Sequence, residues 1–116
     1  MLIAEAAARI GVPTHRLRHY EATSLLIPDR GPSGYRDYSD GDIARGRQIR
    51  ALLDSGFTAR DVALMLPCMI PEDDDRRGCP VTTARLIRRL EVISERRAQL
   101  EATEQALTAW LANTIS

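Results

Sequence analysis

Leu86, Ile93, Leu100 and Leu107 recur at intervals of seven in the last third of this 116-residue chain. Thr83, Leu90, Arg97, Glu104 and Leu111 fill the alternate positions of the same seam. This is a heptad stripe with a polar middle, the pattern of a coiled coil. It predicts one long helix over 82–113, roughly 45 Å at 1.5 Å per residue. Such a helix alone would expose a large apolar face to water, so it calls for a partner. The polar seam positions also select an orientation. In an antiparallel homodimer Arg97 of one chain meets Glu104 of the other, whereas a parallel pairing sets Arg97 against Arg97. The competing arrangement is a helix folded back on its own domain, and the segment that separates it from the rest of the chain argues against that.

That segment, 67–81 (PCMIPEDDDRRGCPV), holds three Pro, one Gly and an acidic run, and reads as a linker. Ahead of it, 1–66 reads as a small head. IAEAAARI (3–10) predicts a short helix ended by Gly11. Thr14 is placed to cap a second helix over 15–22, and two short helices joined by a Gly-containing turn form a helix-turn-helix. Leu2, Ala6, Ile10, Val12, Leu17 and Tyr20 are the candidate core between them. Gly31-Pro32-Ser33-Gly34 is dense turn chemistry, and Tyr35–Tyr38 alternates as a strand does, so a β-hairpin wing is expected next. Ser39 opens a third helix over 40–55, closed by Gly56. Its buried side is Ile43, Ile49, Leu52 and Leu53, and Arg45, Arg47 and Arg50 lie mostly on its other faces. Thr58 with Asp61 resembles a capping box for a fourth helix, which Pro67 is expected to stop. The fold class is therefore mainly α: a winged helix-turn-helix head with a small β-hairpin wing, followed by a long antiparallel coiled-coil helix.

Arg16, Arg18, Arg30 and Arg36 interleave with His15, His19, Tyr20, Tyr35 and Tyr38 in a segment too polar to be core, the chemistry of a surface that grips phosphates. The formal net charge is zero, yet residues 1–60 carry nine Arg against seven acids. A balance of +2 is weak evidence for nucleic acid on its own; the placement of the arginines counts for more. A helix-turn-helix puts its second helix in the major groove. There Arg16 can reach a base edge or a phosphate, while Arg18 and Arg36 grip phosphates. For each arginine the alternative is a solvated charge or an internal partner such as Glu21 or Asp37. Tyr20 and Tyr38 have the alternative of being core aromatics. No apolar run approaches the ~20 residues that span a bilayer, and no leader segment stands at the start, so the cytoplasm is the expected location. No nucleophile–base pair, phosphate loop or metal-hydrolase motif appears, so enzymatic activity is not expected.

LRHYEATSLLIPDR, followed by GYRDYSDGDIARGRQI and LLDSGFTARDV, resembles the MerR family of transcription regulators over about residues 2–66. The resemblance implies a homodimer held by the long helix, through Leu86, Leu90, Ile93, Arg97, Leu100, Glu104, Leu107 and Leu111. It implies binding to double-stranded DNA at a pseudo-palindromic promoter operator that is bent and untwisted, with RNA polymerase as the further partner. By position it puts Thr14, Arg16 and Arg18 on the recognition helix, Tyr20 at a phosphate contact, and Arg30, Arg36 and Tyr38 on the wing. Three positions depart from the family pattern: His19 replaces a tyrosine, Ser24 a glycine and Gly46 a leucine.

Cys68 and Cys79 flank the linker with ten residues between them, and the spacing is no recognised zinc signature. The resemblance adds that Cys79 falls where metal-sensing members carry a ligand cysteine. The further cysteines of those members lie beyond their long helix, and none follows here, so a complete site of that type is not expected. Three readings stand for the pair: a structural clamp of the linker, a reversible thiol switch, and a metal site shared across the dimer with carboxylates. Two alternatives to DNA binding also stand: a coiled-coil protein-interaction module and a recombination directionality factor.

Overall fold

The computed structural model describes residues 1–69 and 80–115. It contains α1 (Ile3–Ile10), α2 (Thr14–Ala22), β1 (Asp29–Arg30), β2 (Arg36–Asp37), α3 (Asp40–Asp54), α4 (Ala59–Met69) and α5 (Pro80–Ile115). The chain divides into two units, Met1–Gly78 and Cys79–Ser116.

In the first unit, α1 and α2 meet through a turn that Gly11 makes at φ +87°, its N–H bonding back to the Ala7 carbonyl. The next cap differs from expectation. Pro13, not Thr14, precedes α2, and Thr14 is its first residue, with no side-chain cap bond. Pro13 holds the extended φ and ψ of a cap position without donating a bond. β1 and β2 pair antiparallel, Asp29 with Asp37 and Arg30 with Arg36, around the turn expected at 31–34. Gly34 N–H closes that turn on the Gly31 carbonyl at 2.9 Å.

α3 begins at a capping box in which Ser39 and Asp42 exchange side-chain and backbone bonds of 3.1 and 2.9 Å. Thr58 and Asp61 do the same for α4, at 3.2 and 3.1 Å. Both helix starts stand where the sequence places them, because each box satisfies two donors that a helix N-terminus otherwise leaves open. α4 does not stop at Pro67, which lies inside its last turn. The missing proline N–H strands only the Ala63 carbonyl, and Ala63 is exposed, so water can satisfy it.

The core joins Ala6, Ala7 and Ile10 of α1 and Val12 of the turn to Leu17 and Tyr20 of α2, Leu25 and Leu26 of the following turn, and Tyr38. Ile43, Ile49 and Leu52 of α3 and Val62, Met65 and Leu66 of α4 complete it. Leu2, expected in this core, is instead exposed, standing before the first turn of α1. Gly46 explains how α1 and α3 approach so closely. A Cβ there would stand 2.9 Å from Ile10 Cγ1 and closer still to Cδ1. A glycine in mid-helix is unfavourable by about 1 kcal/mol, and here it makes room for a neighbouring helix.

The second unit is α5, 36 residues long and two residues longer at each end than the heptad pattern marks. Leu86, Leu90, Ile93, Leu100, Leu107 and Leu111 are all exposed along it, and so is Trp110. α4 and α5 extend into both ends of the expected linker; its middle, with Cys79, lies outside the described residues.

Candidate nucleic-acid interface

α2 presents its polar side outward. Thr14 is half-buried, and His15, Arg16, Arg18 and His19 are exposed, while Leu17 and Tyr20 anchor the opposite side in the core. The side chains of Arg16 and Arg18 form no hydrogen bond or ion pair among the described residues. The helix is pinned from below by α3. Arg47 donates from Nε and Nη2 to the Arg9 carbonyl at 3.1 and 3.0 Å, and Arg50 donates from Nη1 to the Ile10 carbonyl at 3.1 Å. These carbonyls end α1 and lack intrahelical donors, so two guanidiniums cap α1 and fix the turn into α2. Arg45 Nε holds the Leu25 carbonyl at 2.9 Å in the turn that leaves α2. The sequence pattern assigns these three arginines only to the outer faces of α3. A guanidinium reaching across to the carbonyls just ahead of Gly11 leaves no signal in periodicity.

The wing is tied at both ends. The Met1 ammonium donates to Asp37 Oδ1 at 2.7 Å and to the Tyr38 carbonyl at 2.9 Å, and Tyr38 N–H donates to the Met1 carbonyl at 2.8 Å. Tyr35 is exposed at the turn, its ring lying over Gly31, where a Cβ would collide with it. Glu21, in the last turn of α2, joins the wing to the helix. Its Oε1 accepts from Arg30 Nη2 at 3.3 Å, and its Oε2 pairs with Arg36 Nε. Arg30 Nη1 also donates to the Gly34 carbonyl at 3.3 Å.

Tyr20 and Tyr38 do not lie on this surface. Each is 1% exposed, which corrects the expectation that they face DNA. An aromatic ring in a head this small carries a large share of the buried area, so both are retained by the core. Burial pushes both phenols above the ordinary tyrosine value. For Tyr38 the Glu21 carboxylate pushes further in the same direction. Tyr38 Oη is buried without a hydrogen-bond partner among the described residues. The outward set is thus Thr14, His15, Arg16, Arg18, His19, Arg30, Tyr35 and part of Arg36.

The family profile described as "MerR HTH family regulatory protein" matches residues 1–67. The chain belongs to the MerR family. It is 31% identical over 111 residues to a protein of Haemophilus influenzae named "Probable heavy metal-dependent transcriptional regulator", covering 95% of this chain and 84% of that one. It is 36% identical over 81 residues to the transcriptional regulator HmrR of Rhizobium leguminosarum bv. viciae, covering 70% of this chain and 61% of that one. Among solved structures it resembles HiNmlR, a MerR family regulator lacking the sensor domain and bound to promoter DNA. The TM-score is 0.65 at 24% identity, over 87% of this chain and 75% of that one, a likeness of fold. As a MerR-type member, the chain is a DNA-binding transcription regulator; the interaction-module and directionality-factor alternatives are not favoured.

Cys68 is half-buried near the end of α4 and disulfide-bonded. The chain's other cysteine, Cys79, lies outside the described residues. Among the described residues no group of three or more His, Cys, Asp or Glu could hold a metal ion. No helix there is long and apolar enough to cross a membrane.

Proposed function

We propose that this regulator acts as a homodimer paired antiparallel along α5. Each head delivers one recognition helix to one half of a pseudo-palindromic promoter operator. The observation that carries this reading is the exposed stripe of Leu86, Leu90, Ile93, Leu100, Leu107 and Leu111. An apolar face of that length on a charged helix is stable in water when a second copy covers it. Arg97 and Glu104, both exposed, are then across from each other and offset their own burial. Arg16 and Arg18 reach base edges and phosphates from the major groove, while Arg36 and Tyr35 approach the backbone from the wing. Distortion of the operator between the two half-sites is the step that acts on RNA polymerase. Leu100→Asp tests the assembly: sedimentation should report monomers, and duplex affinity should fall with it. A dimer that persists in Leu100→Asp and still binds duplex refutes the α5 pairing.

We infer that the effector signal enters next to Cys68. Its disulfide supports a thiol input, in which two-electron reduction by a dithiol returns two thiols. Relatives named as heavy-metal-dependent regulators support a metal input at the same thiols once reduced. Cys68→Ser separates both from a purely structural clamp. A promoter response to reductant and to metal that survives the substitution rules out an input here.

A further inference from the structure

One carboxylate holds two arginines of the wing, and it holds them differently. Glu21 stands in the last turn of α2, where the helix dipole disfavours a negative charge. Its side chain is 19% exposed. Arg30 spends both terminal nitrogens inside the head, Nη2 on Glu21 and Nη1 on the Gly34 carbonyl across the turn. Arg36 meets Glu21 Oε2 with Nε. Its Nη1 and Nη2 carry no hydrogen bond among the described residues, and the side chain remains 38% exposed. A guanidinium grips phosphate through a pair of parallel N–H groups, and only Arg36 has its terminal pair available.

We propose that Glu21 is a positioning residue that sorts the wing arginines into a strut, Arg30, and a phosphate arm, Arg36. The strut locks the wing turn to the end of the recognition helix. The arm meets Glu21 at Nε, and its Nη1 and Nη2 form no hydrogen bond within the described residues. The sorting rests on the reading of α2 and the wing as the DNA-contacting surface. The arithmetic of counterion release then distinguishes two residues that look equivalent in sequence. Each phosphate neutralised contributes a slope of roughly 0.9 to the logarithm of affinity against the logarithm of salt concentration.

The experiment is a salt titration of the full chain on a labelled DNA duplex of arbitrary sequence, read by fluorescence anisotropy. Arg36→Ala should lower the slope by about one per protomer. Arg30→Ala should leave the slope unchanged. Glu21→Gln should steepen it by about one per protomer, because the freed Arg30 can then take a phosphate. Glu21→Gln combined with Arg30→Ala should return it to the starting value. If Arg30→Ala loses its helical circular dichroism, Arg30→Gln replaces it. Equal losses of slope in the Arg30 and Arg36 variants overturn the sorting, and so does an unchanged slope in Glu21→Gln. Failure of the unsubstituted chain to bind duplex overturns the DNA-contact reading itself, and is distinct from either result.

Discussion

Gly46 offers a quantitative test of how the head is packed. Gly46→Ala should raise the intrinsic helix preference of α3 by about 1 kcal/mol. The new methyl would sit 2.9 Å from Ile10 Cγ1, 3.5 Å from Cγ2 and closest to Cδ1. Ile10 is itself 2% exposed, so turning away from position 46 would disturb its packing in the core. Overpacking of a filled core costs about 1–3 kcal/mol. The two terms set the net effect of Gly46→Ala at about 0–2 kcal/mol of destabilisation, opposite in sign to the propensity scale. Ile10→Val alone removes Cδ1 and leaves a small void, at about 0.5–1.5 kcal/mol. In the double variant the methyl added at position 46 takes up the space left by Cδ1; Cγ1, 2.9 Å away, must still shift by a few tenths of an ångström, and the propensity gain is then partly unmasked. The double variant should therefore lie within about 1 kcal/mol of the original, and the two substitutions should couple favourably by about 1 kcal/mol or more. The assay is urea unfolding followed by circular dichroism on the four proteins at one fixed concentration, so that any association term is common to all. Additivity within about 0.5 kcal/mol, or a Gly46→Ala protein more stable than its parent, would refute the claim that Gly46 exists to admit Ile10.

Tyr38→Phe removes a buried hydroxyl that has no hydrogen-bond partner among the described residues, so it should stabilise the head by about 1 kcal/mol and raise Tm by a few degrees. The pH dependence follows from the raised folded-state value. Below the unfolded tyrosine value near 10 the stability is fully present; it is lost as pH climbs through the higher folded value. Tyr38→Phe should flatten that alkaline loss in thermal melts between neutral and high pH, and a melt that falls, or an alkaline limb unchanged in steepness, contradicts the burial argument. Ser24 adopts φ +60°, the left-handed region that costs a side-chain-bearing residue about 1–2 kcal/mol. Ser24→Gly relieves that strain against a gain in unfolded-state entropy that costs about 0.4–1 kcal/mol. It should raise the unfolding midpoint in urea by the equivalent of about 0.5–1 kcal/mol, and a lower midpoint counts against it.

Much of the fold is legible because its boundaries are written in short-range chemistry. Ser39 with Asp42 and Thr58 with Asp61 satisfy backbone donors within one turn, so residue type and spacing suffice to place α3 and α4. Gly11 ends α1 in the left-handed region, for which glycine is the default residue. The positive φ at Ser24 is not of that kind: serine makes such a turn harder to adopt, and only the glycine of the MerR pattern at this place points to it. Pro67 misleads because the rule against interior proline assumes a full turn on either side, and the last turn of α4 lacks one. Tyr20 and Tyr38 mislead because a phenol suits a core edge and a phosphate contact equally well, and only three-dimensional enclosure decides between them.

The arginines carry the larger lesson, because their positions in the sequence do not reveal their tasks. Arg45, Arg47 and Arg50 direct guanidinium nitrogens at backbone carbonyls 20, 38 and 40 residues away. Arg9, Arg30 and Arg36 each pair with a carboxylate. Arg16 and Arg18 do neither, and both stand on the one helix whose inner face is fixed by Leu17 and Tyr20. A count of +2 over the first sixty residues therefore understates the field at α2, where two guanidiniums project outward with no acid paired to them. The surrounding cations still add to that field, since a guanidinium bonded to a carbonyl keeps its charge. Their bonded nitrogens are unavailable for a bidentate grip, so they steer a polyanion toward α2 without competing for its phosphates. In the proposed dimer, pairing such heads through α5 would double the field without changing the net charge of either chain, which would let a neutral protein hold a polyanion.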